Sequence, residues 1–352
     1  MPTPELLDRL LRAPGPSGHE TGPAAVWRES CREFAQDVRG DIVGSSVVRV
    51  PGTAGGPSLA IIGHIDEIGV HVTHIEDDGF LRFGEVGGWD PIQLVGQRVR
   101  VSTRGGDVLG VIGRKPIHLI RGEERDRAPK LKDLHIDIGA ADGDEARAAV
   151  RIGDVGVIDA EPIALPNDRL VARSLDNRIG AYVAAQAARL VAERGGAPGD
   201  VFGVAATQEE TTFAGARTSA FGLRPDIAIA VDVTHATDQP GVELGQMTKH
   251  ALGSGPVIAR GTSLHPAISE LMHETAEALE LDFTVESLGR GTGTDADAVH
   301  ASRAGVATGL VSIPLRYMHS SVELAALADV EAAARLIAEF AQRLTPGMSL
   351  LR

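Results

Sequence analysis

Three apolar runs in this chain end in acids or histidine. Residues 201–207 (VFGVAAT) lead into Gln208-Glu209-Glu210. Residues 58–62 (SLAII) lead into Gly63-His64-Ile65-Asp66-Glu67, and residues 226–231 (DIAIAV) lead into Asp232. Strands buried on both faces of an α/β sheet read as continuous apolar runs, and such folds place their active sites in the crevice beyond the strand ends. The set offers imidazole and carboxylate but no thiolate. It therefore suits a hard-to-borderline divalent ion such as zinc, cobalt or manganese.

Each candidate has a chemical reading and a plainer one. His64 and Asp66 form an H-x-D pair. Residues i and i+2 of an extended chain share a side, so Asp66 can take the second ring N–H of His64 or lie beside it and fix the tautomer. The pattern alone is weak. His135-Ile136-Asp137 repeats it where no other ligand candidate is near, and there a structural pair is expected. Asp176, in Arg173-Ser174-Leu175-Asp176-Asn177-Arg178, stands where a loop enters a helix; it either caps that helix or bridges two ions. Glu209 and Glu210 diverge if the backbone is extended. Divergence disfavours an acid/nucleophile pair about 5 Å apart on one glycosidic bond. It favours a division of labour, one acid on metal and the other taking a proton from water. His319 follows an expected strand at 306–312, and His235 reads as a pocket or loop histidine. The run from Gly289 to Asp295 has threonine where a dinucleotide fingerprint needs its last glycine, so it reads as an active-site loop.

These residues need a scaffold. A first helix is expected with Thr3 as cap, Pro4 in the first turn and leucines at 6, 7, 10 and 11. Further helices are expected near 21–36, 177–194, 266–280, 295–303 and 326–344. Strands are expected at 58–63, 201–207, 226–232, 282–287 and 306–312. Between 70 and 165 the texture changes to short β-rich segments punctuated by Gly and Asp, which predicts a small barrel. Its charged stretch 121–132 is expected to be a solvated loop. The organisation is thus one α/β domain, 1–69 and 166–352, interrupted by a β module at 70–165.

The bulk numbers exclude some functions. A net charge of −14 over 352 residues disfavours a nucleic-acid partner. No run of about 18 apolar residues is present, so no membrane span is expected. The amino-terminal segment lacks the apolar region of a signal peptide. The single cysteine, Cys31, cannot form an internal disulfide and lies in a helix-like run; a packing role in a reducing cytoplasm is expected.

Taken in order, the segments Ala13–Gly18 (APGPSG), Gly63-His64-Ile65-Asp66-Glu67-Ile68-Gly69, Ser174–Gly180 (SLDNRIG), Gln208-Glu209-Glu210, Val231-Asp232-Val233-Thr234, Gly293-Thr294-Asp295-Ala296 and Arg316–Ser320 (RYMHS) resemble the M42 family of metalloaminopeptidases, the glutamyl or TET-type enzymes. The resemblance implies a three-layer α/β/α phosphorylase/hydrolase-like domain with an inserted β-barrel. It implies two divalent ions, zinc first, with cobalt or manganese as alternatives. His64, Asp176 and Asp232 would hold one, and Asp176 would bridge to a second held by Glu210 and His319. Glu209 would be the general base and Asp66 the partner behind His64. Short peptides with a free N-terminus would be the substrates, and dimers would build twelve-subunit tetrahedra. Two ions against the carboxylates of Asp176, Glu210 and Asp232 imply a near-neutral centre tolerant of several side chains. A related M20-type deacylase or carboxypeptidase is the alternative. A glycan hydrolase fits poorly, since only 3% of residues are aromatic.

Overall fold

The computed structural model describes residues 1–243 and 248–351. Its centre is an eleven-stranded sheet. Nine strands follow the order Asp37–Gly40, Ser46–Val50, Val201–Ala206, Leu59–His64, Ile227–His235, Ala307–Arg316, Glu323–Ala326, Arg169–Ala172 and Ile163–Leu165. Val257–Gly261 joins the side of Ala307–Arg316 and carries Thr284–Leu288 on its other edge. The four middle strands, Val201–Ala206, Leu59–His64, Ile227–His235 and Ala307–Arg316, are parallel, so their chemistry-bearing ends lie together.

Side chains alternating across these strands explain the layers. Leu59 and Ile61 face one core, built with helices Glu5–Arg12, Leu175–Glu193, Pro266–Ala278 and Leu327–Gln342. Ala60 and Ile62 face the other, closed by Ala216 and Ala220 of helix Ala214–Leu223 and Val299 of helix Asp295–His300. Period-two patterning with apolar residues on both sides gives a sheet covered on both faces. The expected α/β/α arrangement is therefore present. Sheet and helix pack closely at Gly63, where a Cβ would lie 2.2 Å from the carbonyl carbon of Gly180.

The inserted segment closes into a six-stranded barrel. Gly69–Ile75, Leu81–Val86, Leu134–Asp137, Gly106–Arg114, Arg98–Thr103 and Val155–Ile158 pair in that order, and the last returns to the first. Val70, Val72, Leu81, Phe83, Val99, Val101 and Ile136 fill it. His135 packs edge-on against Phe80, with 5.0 Å between ring centroids, and among the described residues neither His135 nor Asp137 belongs to a group of possible metal ligands. Cys31 is free and fully buried, as a packing residue should be.

Local differences from the expected elements have physical causes. The first helix begins at Glu5 with Pro4 at its cap, and no side chain caps it; Thr3 stands one residue too early. The second helix stops at Cys31, because the chain must turn into the edge strand Asp37–Gly40. Leu175–Glu193 contains two non-helical residues, Asp176 and Asn177, joined by a cis peptide bond. The sheet strands Ser46–Val50, Arg169–Ala172, Val257–Gly261 and Glu323–Ala326 are only four or five residues long, too short for periodicity to distinguish them.

Candidate metal centre

The centre is assembled at the carboxyl ends of the parallel strands. His64 ends its strand opposite Ala206 of the neighbouring one. Beyond Ala206, Gln208 adopts a left-handed backbone with φ 58°, which stops the strand and starts the short helix Glu209–Thr212. The two glutamates are therefore helical rather than extended, a correction to the expected geometry. They still diverge. The Glu209 Oε2 lies 3.6 Å from His64 Nε2, whereas Glu210 Oε2 lies 3.4 Å from His319 Nε2.

Asp66 holds this turn in place. Its Oδ1 accepts from the Glu209 N–H and its Oδ2 from the Glu210 N–H, each at 3.1 Å. Burial opposes its charge, but His64 and these two N–H groups outweigh burial and keep it below the usual carboxylate range. The expected pairing with His64 is looser. Its Oδ1 lies 3.4 Å from His64 Nδ1, an ion-pair distance without hydrogen-bond alignment, and Nδ1 has no hydrogen-bond partner.

Asp176 occupies the middle. Its Oδ1 lies 3.2 Å from His64 Nε2 and its Oδ2 lies 3.5 Å from His319 Nε2. Asn177 anchors the loop: its Nδ2 donates to the Val231 carbonyl at 2.7 Å, and its Oδ1 accepts from the Gly180 N–H at 2.9 Å. Asp232 ends the third run, its Oδ1 accepting from the Val233 N–H at 2.8 Å. Donor atoms of His64, Asp176 and Glu210 lie within 4.8 Å of one another, as do those of His64, Glu209 and Asp232.

One contributor was not anticipated. Glu323 is buried and accepts from the Asp176 N–H at 3.0 Å and the His319 N–H at 2.9 Å, holding two candidate ligands with one carboxylate. It sits in VELAAL, an apolar run whose single acid carries no motif. The barrel insertion contributes as well. His319 Nδ1 lies 2.7 Å from the Gly88 carbonyl, which fixes Nδ1 as the protonated nitrogen and leaves Nε2 facing Asp176 and Glu210.

The electrostatics call for positive charge. Burial, reinforced by Asp232 and Asp295, pushes the Glu209 carboxyl up to about 10. Burial also raises Glu210, and it raises Asp232 well above its usual value. Hydrogen bonds donated by His319 to Asp176 and Glu210 push its imidazole up to about 11. His64 is raised well above normal because Glu209, Asp176 and Asp66 overcome its burial. Protons thus collect where cations would balance the carboxylates. The residues present fit a pair of divalent ions. They are imidazole and carboxylate donors, Asp176 turns one oxygen toward each histidine, and Glu210 Oε1 is a buried acceptor with no partner.

This cluster opens into a cavity of about 440 Å³, also lined by Phe213, His235, Glu286, Thr292, Thr294 and Met318. The loop expected at the active site therefore reaches it. A larger cavity, about 700 Å³, lies at the opposite ends of the strands beside Asp226 and Ala307. Among the described residues it holds no ligand cluster.

The sequence model of the M42 glutamyl aminopeptidases matches residues 44–336. The chain belongs to that family. It is 36% identical over 346 residues to a lysyl aminopeptidase from Pyrococcus furiosus, covering 97% of each chain. A TET aminopeptidase from the marine sediment archaeon Thaumarchaeota archaeon SCGC AB-539-E09 superposes with a TM-score of 0.91 at 34% identity, covering 97% of this chain and 96% of that one. The Pyrococcus horikoshii TET1 peptidase, described as assembling into a tetrahedron or a large octahedral shell, gives 0.84 at 32% identity, covering 97% and 99%. This M42 chain is accordingly an aminopeptidase, a hydrolase of peptide bonds.

Proposed function

We propose that this M42 chain is a dinuclear metal-dependent aminopeptidase that removes residues one at a time from the N-terminus of short peptides. The observation that carries the reading is Asp176, with one oxygen toward His64 and the other toward His319. His64, Asp176 and Asp232 would hold one ion; Asp176, Glu210 and His319 would hold the other. Zinc is the first choice, and cobalt or manganese would be accepted. Two such ions would supply a water of lowered pKa and positive charge for the carbonyl oxygen. Glu209, beside His64 and ligated to nothing in this scheme, takes the proton from the attacking water and passes it to the leaving amine. Asp66 positions Glu209 and Glu210 through their backbone N–H groups.

The M20-type deacylase or carboxypeptidase alternative uses much the same centre, and the family match favours the aminopeptidase. The family description names glutamyl and the P. furiosus relative lysyl, so the residue this chain prefers is read from its own pocket. The module at 70–165 would control subunit contact and access. A homo-oligomer, dodecameric with dimers as building blocks, is the proposed form, and the cytoplasm its compartment. Among the described residues no helix is long and apolar enough to cross a membrane.

The test is mass spectrometry of a short peptide digested by the metal-loaded protein, with the N-terminus free or acetylated. The expected result is a ladder shortened only from the free N-terminus. Internal cleavage, or equal turnover of the acetylated peptide, would move the assignment to the alternative.

A further inference from the structure

The wall of the catalytic cavity carries one acid that the metal centre does not use. Glu286 lies in the strand Thr284–Leu288, whose alternate residues Glu286 and Leu288 both line the cavity. Its Oε1 accepts a hydrogen bond from Thr234 Oγ1 at 3.3 Å. Thr234 and Asp232 are two residues apart on one strand, so they share a side and lie about 7 Å apart. Glu286 is thereby pinned roughly one long side chain away from the candidate metal ligands.

Its surroundings leave that charge uncompensated. Among the described residues neither lysine nor arginine lines the cavity. Among the described residues no cation forms a salt bridge with Glu286. The nearby His250 is buried, with its Nδ1 2.7 Å from Thr284 Oγ1; burial lowers its pKa, against the opposing pull of Glu286. The near-neutral balance expected for the centre counted two ions against its own carboxylates and left Glu286 out. Phe213, Val233, Leu288, Leu310 and Met318 supply an apolar wall along the same cavity. An apolar channel with a carboxylate at arm's length suits a side chain with a methylene stem and a cationic end.

Resting on the aminopeptidase reading, we propose that Glu286 is the specificity residue of this chain and selects peptides whose N-terminal residue is lysine or arginine. An acidic first residue meets a like charge and is rejected, which supplies discrimination by repulsion as well as attraction.

The test is kcat/KM for the p-nitroanilides of Lys, Arg, Leu and Glu with the metal-loaded wild type, Glu286→Gln, Glu286→Asp and Glu286→Lys. The wild type is expected to rank Lys and Arg above Leu, and Leu above Glu. Glu286→Gln should lower the Lys-to-Leu ratio about tenfold, mainly through KM, as loss of one charge-assisted contact does. Glu286→Asp should recover part of it, and Glu286→Lys should place Glu above Lys. A wild type preferring Leu or Glu overturns the proposal. So does a Glu286→Gln variant whose Lys-to-Leu ratio stays within about twofold of wild type, or whose activity falls equally on all substrates. A wild type active on none of the four overturns the aminopeptidase reading itself, and this proposal with it.

Discussion

At the level of single residues, the proposed function turns on two adjacent glutamates with different neighbours. Glu209 faces His64 and Glu210 faces His319, because a left-handed Gln208 starts a helical turn between strand and loop. Replacing Glu209 by Gln is expected to lower kcat about 10²–10⁴-fold while bound metal stays near the wild-type level, since a base is lost and no ligand. Glu210→Gln should instead release one of the two ions on dialysis. Near-wild-type kcat in Glu209→Gln would show the roles to be misassigned. His64, Glu209, Glu210 and Asp232 were legible in the sequence because charge at the end of an apolar run has few structural reasons to be there. Asp176 was legible only as a choice between cap and ligand, and its position between the histidines resolves where it points. Glu323 was not legible. It acts on backbone N–H groups of residues 147 and 4 positions away, and such contacts leave no pattern in sequence.

At the scale of elements, the site depends on close packing behind it. Gly63 sits against the backbone of Gly180, so the His64 strand and the helix that follows Asp176 are in direct contact. Longer strands and helices were readable from periodicity. The strand Glu323–Ala326 was not, because four residues flowing into helix Leu327–Gln342 look like its first turn. A second device ties the N-terminal helices to the site. The buried Glu20 accepts from the Gly18 N–H at 2.6 Å and the Gln208 N–H at 3.0 Å, both on Oε1. Burial, helped by Asp66, raises its pKa from 4.5 to about 7. The folded chain therefore holds a proton that the unfolded chain releases between those values, so stability falls as pH rises through this window and levels off above it. Glu20→Gln keeps the acceptor oxygen and cannot ionise. Urea unfolding should show it on the order of 1–3 kcal/mol more stable than wild type at pH 8, with the difference vanishing near pH 4. An equal difference at both pH values would contradict this account of Glu20.

At the scale of the whole molecule, a closed barrel is inserted beside the catalytic crevice and reaches into it through the Gly88 carbonyl on His319. Closure leaves the barrel no free strand edge, so subunit contacts through it must use side chains. Leu109, Val111, Ile117 and Leu119 supply an exposed apolar surface there. Such a surface is expected to be covered in solution. Sedimentation at micromolar concentration should find a large homo-oligomer, twelve chains or the dimers that build them; a monomer alone would count against assembly. The barrel was legible from its texture of short glycine-punctuated segments, whereas its contact with His319 was not, since a backbone carbonyl has no signature.

The proposed mechanism requires that this chain bind two ions at once. Its most direct test is titration of the metal-free protein with zinc, following bound ion by elemental analysis and hydrolysis of a tripeptide with a free N-terminus. Saturation at about two ions per chain is expected, with loss of turnover on chelation and its return on re-addition of zinc. Full turnover by the chelated, metal-free protein, or at saturation with one ion or fewer per chain, would contradict it.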